Sequence, residues 1–97
     1  MSKMVRIEII SNQSVESDIT ELLEEYVPDI EYTVFPVVHG KGKRAKKLGD
    51  SVWPEQNFAM VVYTNEESAC RIQTVVTKVK EKFPNEGISF FKMVSEI

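Results

Sequence analysis

The chain holds more apolar strand surface than it has helix to cover it. Lys3 to Ile10 alternates with the period of a strand, placing Val5, Ile7 and Ile9 on one face and Arg6, Glu8 and Ile10 on the other. Glu31 to His39 is rich in β-branched and aromatic residues, with Tyr32, Val34 and Val38 alternating against Thr33, Phe35 and Val37. Asn57 to Thr64 sets Phe58, Met60 and Val62 against Ala59, Val61 and Tyr63, and Ile88 to Val94 is a fourth, mostly apolar run. Only two amphipathic helices stand between these segments. In the first, Val15, Ile19, Leu22, Leu23, Tyr26 and Val27 recur at three and four residue spacing after the turn and capping residues Ser11, Asn12 and Ser14, and Pro28 ends the run. The second opens on Thr64-Asn-Glu-Glu67, which has the spacing of a capping box. Ala69, Ile72, Val76, Val79 and Phe83 then step along one face as far as Pro84 and Gly87.

The order βαββαβ predicts an α+β, ferredoxin-like sandwich in which a four-stranded antiparallel sheet carries both helices on one face. That topology puts the second strand at an edge. Pro36 agrees, because a proline inside a strand cannot donate a ladder hydrogen bond and belongs at an edge or a bulge. Successive strand residues leave in opposite directions, so the apolar residues of the last three strands cannot all point under the helices. An uncovered apolar face of that size marks an interface, and an oligomer built through the sheets is expected.

Composition closes off several classes of function. Ninety-seven residues, 42% hydrophobic and 28% charged, make one domain spanning 1–97, since two would each be too short to bury a core. An apolar stretch such as Ala59 to Tyr63 is far short of a membrane span, and the amino terminus lacks a basic-then-apolar signal, so a cytoplasmic protein with no membrane insertion is expected. Cys70 has no second cysteine to pair with, and with His39 as the one histidine a zinc cage within a single chain is not expected. Cys70, between Ala69 and Ile72, is expected as a small core residue. No Ser/His/Asp set and no convergent carboxylate pair is recognisable, so no catalysis is assigned.

The segment 40–56 separates strands that a hairpin would join with two to five residues. It holds Lys41, Lys43, Arg44, Lys46 and Lys47 against Asp50 and Glu55, a net +3 that leaves −6 on the rest of a chain whose overall charge is −3. Gly40 and Gly42 free the backbone for close approach, and amides flanked by lysines suit phosphate. The Gly-Lys-Ser or Gly-Lys-Thr end of a Walker loop is missing. Trp53-Pro54, beside Leu48 and Val52, is expected to anchor the second half of the loop on its own domain or on a partner.

These residues resemble the PII signal-transduction superfamily over essentially the whole chain. The resemblance rests on the double βαβ order, on Val38-His-Gly-Lys-Gly42 leaving the second strand, and on a basic loop in the place of the family's T-loop. It rests also on the Phe58 to Tyr63 strand leading into a long helix, and on Glu81-Lys-Phe-Pro-Asn-Glu-Gly87 in the place of its B-loop. It implies a homotrimer with inward-facing sheets, a regulator rather than an enzyme, ATP, ADP, AMP or another effector in clefts between subunits, and a T-loop-like grip on a transporter or metabolic enzyme. The residues implied for the ligand are His39, Gly40, Lys41, Gly42, Lys43 and Gly87, and for the partner Lys43, Arg44, Lys46, Lys47 and Trp53. The departures are specific: Asn85-Glu86-Gly87-Ile88 keeps one glycine of the family's Gly-Asp-Gly-Lys and loses its lysine, Arg44 replaces a glutamine, and no tyrosine lies between Gly40 and Gln56. The trimeric CutA-type divalent-cation tolerance proteins share the architecture and supply an alternative, a metal held through His39 from several copies. Nucleic acid ranks last as a partner, because the acidic body repels phosphate.

Overall fold

A computed structural model describes residues 3–40 and 56–96. Val5, Ile7 and Ile9 are completely buried, and their alternation seats β1 (Lys3–Asn12) in the middle of the sheet. A 3-10 turn (Gln13–Val15) comes next, in which the Asn12 side chain accepts from the Ser14 amide at 2.9 Å. It leads into α1 (Glu16–Tyr26), whose first turn carries Glu16 and Asp18 where the exposed amides favour negative charge. Then come β2 (Thr33–His39), β3 (Gln56–Thr64), α2 (Glu66–Lys82) and β4 (Ile88–Glu96). The sheet order is β2-β3-β1-β4 with every neighbouring pair antiparallel, which is the ferredoxin-like arrangement expected from the order of elements.

Both helices lie against one face. Ile19 and Leu23 of α1, Ala69, Ile72, Val75, Val76 and Val79 of α2, and the inward residues Phe58, Met60 and Val62 of β3 form one buried cluster with β1. Val34, Phe83 and Phe90 are half-buried at its margin. At about 25 cal/mol per Å² of apolar area, full burial of each large side chain stabilises the fold by roughly 1.5–3 kcal/mol.

Three local expectations are corrected. The cap of α2 is Asn65, whose side chain accepts from the Ser68 amide at 2.8 Å, while Thr64 is still the last residue of β3. Cys70 is exposed, because one residue advances a helix by about 100° and carries it off the buried stripe begun by Ala69. In β2 the alternation breaks. Phe35 is in register with Ala59 but Val38 with Asn57, so one extra residue is inserted around Pro36. Val38 therefore shares the face of Phe35, not that of Val34, and the strand has both features that Pro36 required, an edge position and a bulge.

Candidate functional site

The end of the sheet from which β2 leaves is built by four strand termini. His39 pairs with Gln56, Asn57 with Asn12, and Ser11 with Ile88, so His39–Gly40, the 3-10 turn and Gly87 all stand at that end. The root of the 40–56 loop is fastened there. Gln13 of the 3-10 turn donates its side-chain amide to the Pro36 carbonyl at the bulge, tying the start of α1 to the last residues of β2. Lys41, Gly42, Lys43, Arg44, Lys46, Lys47 and Trp53 lie outside the described residues.

His39–Gly40 and Gly87 share an end but not an edge. They sit on β2 and beside β4, with β3 and β1 between, and three inter-strand steps of about 4.8 Å separate them by about 14 Å. One chain does not bring them together. A Cβ at either glycine would meet nothing within 4 Å, and neither has a positive φ, so the rest of the described chain does not demand glycine there. The turn before Gly87 is closed by its own backbone: the Phe83 amide caps α2 on the Val79 carbonyl at 2.9 Å, and the Glu86 amide donates to the Phe83 carbonyl at 3.1 Å. That amide is thus already engaged.

Three clefts among the described residues lie elsewhere. One of about 330 Å³ lies between the α1–β2 connection and the start of α2, lined by Asp29, Glu31, Tyr63 and Asn65 among others. A second, of about 220 Å³, runs between the helices beside Glu21, Glu25, Lys78 and Lys82, and a shallow groove on α2 is lined by Cys70, Thr74 and Lys78. None of the three includes His39, Gly40 or Gly87. Among the described residues no group of three or more His, Cys, Asp or Glu side chains is placed to hold a metal, and no helix is long and apolar enough to cross a membrane.

The other exceptional surface is the sheet face opposite the helices. Phe35, Tyr63, Phe91 and Met93 stand on it at 52, 58, 49 and 44% exposure, with Ile10 at 36%. In its middle the Glu8 carboxylate accepts from Arg6 Nη2 at 2.6 Å and Nε at 3.0 Å through one oxygen, Oε2, while Arg6 Nη1 donates to the Tyr63 hydroxyl. The guanidinium carbon lies 5.4 Å from the Tyr63 ring centre. The hydrogen bond to Glu8 holds the arginine above its ordinary pKa; partial desolvation opposes this, and the neighbouring Tyr63 and Glu8 charges add to it. The alternation of β1 places Arg6 and Glu8 on one face. Their link to Tyr63, 57 residues away from Arg6, becomes legible only through the β1–β3 register, which pairs Arg6 with Tyr63.

No protein-family model matches the chain, and no curated protein matches it in sequence. Solved structures do match it in three dimensions. A PII-like signalling protein from Thermus thermophilus is similar at a TM-score of 0.67 and 21% identity, over 99% of this chain and 90% of that one. The nitrogen regulatory PII-like protein CPII from Thiomonas intermedia, solved with ADP and bicarbonate, is similar at 0.72 and 17% identity, over 98% and 88%. A de novo designed protein, Foldit4, reaches 0.62 at 13% identity, over 98% and 100%, so the architecture alone carries no activity. What these likenesses establish is the fold, and that fold is the one the PII-like signalling proteins have.

Proposed function

We propose that this chain is a PII-like regulatory protein. It assembles as a homotrimer, senses an adenine nucleotide or another small effector at clefts between subunits, and controls a partner enzyme or transporter through the 40–56 loop. The observation that carries the reading is the position of that basic loop. It leaves the second strand of a PII-like fold at the end of the sheet where Gly87 also stands, and CPII, similar over 98% of the chain, was solved with ADP and bicarbonate.

Two features favour a site completed between copies. His39–Gly40 and Gly87 stand roughly 14 Å apart across the sheet and line none of the three clefts described above, and both glycines have open space where a side chain would project. In the proposed site His39, Gly40, Lys41, Gly42 and Lys43 come from one subunit and Gly87 from its neighbour. The lysines of the loop supply the positive charge for phosphate that the Asn85-Glu86-Gly87 turn lacks. Lys43, Arg44, Lys46, Lys47 and Trp53 face the protein partner, a surface of charge around one aromatic anchor. No catalytic role is assigned to any residue. The metal reading through His39 has no support from the side-chain grouping among the described residues.

Thermal unfolding with ATP, ADP and AMP, each with and without bicarbonate, tests the sensing step. A ligand at about one hundred times its Kd adds about 2.7 kcal/mol and raises the transition by several degrees. No shift with any of them removes the nucleotide-sensing reading. Neutralising Lys43, Arg44, Lys46 and Lys47 together should leave the mass of the assembly unchanged and abolish capture of the partner.

A further inference from the structure

The charge of the described residues is not spread evenly over the two sides of the sheet. On the face opposite the helices, the paired positions of the four strands include only two charged residues, Arg6 and Glu8, and these neutralise each other. The remaining described residues carry six basic and twelve acidic side chains, a net −6. Between two copies this near-neutral face carries less like-charge repulsion than the acidic remainder of the described residues.

Its size determines how it must be used. Four strands spaced about 4.8 Å apart, with a rise of about 3.4 Å over the eight paired positions of β1 and β3, outline roughly 19 by 27 Å, on the order of 500 Å² in flat projection. A stable protein interface covers about 800 Å² on each partner. Association through this face therefore has to use all of it, and the Arg6–Glu8 pair in the middle is covered along with the apolar residues around it.

The cluster is built for that. Arg6 Nε, Nη1 and Nη2 each have an acceptor within the chain, so the guanidinium does not enter a dry interface bare. What remains is the acceptor Glu8 Oε1, with the second N–H on each of Nη1 and Nη2 and the Tyr63 hydroxyl proton as donors. These leftovers complement each other. A purely apolar partner would strand both kinds of group, and a second copy offers its Oε1 to the donors and its donors to Oε1.

We propose that, where copies of this chain meet through the uncovered sheet face, the Arg6–Glu8–Tyr63 cluster sets their register, Arg6 of one copy donating to Oε1 of Glu8 in the next. The proposal rests on, and deepens, the assembled state of the PII-like regulator, and it specifies which side chains decide that assembly.

The test is the mass of the full-length protein by native mass spectrometry and sedimentation velocity at micromolar concentration, with folding followed by circular dichroism. The wild-type chain is expected at a multiple of 11.1 kDa. Arg6→Met leaves the Glu8 charge covered and unpaired, and association should weaken roughly 100-fold or more. Arg6→Met/Glu8→Met removes the charge altogether and should assemble again, with loss of a single stoichiometry. A wild-type mass of 11.1 kDa overturns the proposal, as does an Arg6→Met variant that assembles like wild type or a double variant no better than Arg6→Met. If Arg6→Met fails to fold, Tyr63→Phe, which deletes one hydroxyl from the cluster, keeps the test: association weakened about fivefold supports the proposal and unchanged association overturns it. The readout is mass and not ligand binding. An assembled protein that takes no nucleotide thus counts against the functional reading alone, and assembly indifferent to Arg6 counts against this one alone.

Discussion

Phe58 and Phe91 are the same residue type on opposite faces of one sheet, and truncating each should produce a different kind of defect. Phe58 is completely buried under the helices, so Phe58→Ala leaves a cavity in the core and should cost about 3–5 kcal/mol. That is a large share of the roughly 5–15 kcal/mol that holds a small domain folded. Phe91 is 49% exposed in the single chain. With on the order of 200 Å² on a phenylalanine, about 100 Å² is already covered and about 100 Å² is not. Loss of the covered part should cost the lone chain up to about 2.5 kcal/mol. The uncovered part is worth up to about 2.5 kcal/mol when a second copy closes over it, which is roughly sixtyfold in association. Urea unfolding followed by circular dichroism over a hundredfold range of protein concentration separates the two effects. The wild-type and Phe58→Ala midpoints should both rise with concentration by mass action, the second from a much lower value. The Phe91→Ala midpoint should stay nearly flat until about sixtyfold more protein is present. A Phe91→Ala midpoint as concentration-dependent as wild type would refute the argument, and so would a wild-type midpoint that does not move.

Asn65→Ala removes the side-chain cap of α2 and should cost about 1 kcal/mol, read as a drop of several degrees in Tm, whereas Thr64→Ala, lying in the strand, should cost distinctly less; equal losses would return the cap to Thr64. Gly87→Ala should unfold within about 0.5 kcal/mol of wild type, because nothing lies within 4 Å of the new methyl group, yet it should lose the nucleotide-induced thermal shift if the glycine serves close approach of a ligand. An arginine held above its ordinary pKa contributes fully at every pH below that ordinary value, and the contribution fades only as pH rises through the still higher folded value. The stability difference between wild type and Arg6→Met should therefore be flat across the neutral range, and a slope there would show that another group carries it.

Much of this architecture is legible because β1 states it plainly: Val5, Ile7 and Ile9 alternate without interruption, and all three are fully buried. The helix faces are equally clear, since a buried stripe of five residues in α2 outweighs any single position. Sequence and structure part where one residue decides. Asn65 and Thr64 both cap helices well, and the choice between them depends on where β3 stops pairing with β1. Residue type alone points Cys70 to the core, although its neighbour Ala69 already fills the inward position. Pro36 announces an irregularity in β2 but not its consequence for Val38, because the register of a bulge is set by the partner strand. The Arg6–Tyr63 contact is invisible in the sequence for the same reason, being a property of strand pairing and not of either segment.

The bulge in β2 also sets the phase of the residues on its C-terminal side. Because side chains alternate with a period of two, one inserted residue turns over everything between itself and the end of the strand. His39, in register with Gln56 on the helix side, would face the opposite way if the same residues ran on from Phe35 in regular alternation without the bulge, and the strand would hand over to the 40–56 segment from an inverted last residue. The face on which β2 ends is thus encoded upstream of its last residue, in a single extra residue beside Pro36, whose carbonyl the Gln13 side chain holds.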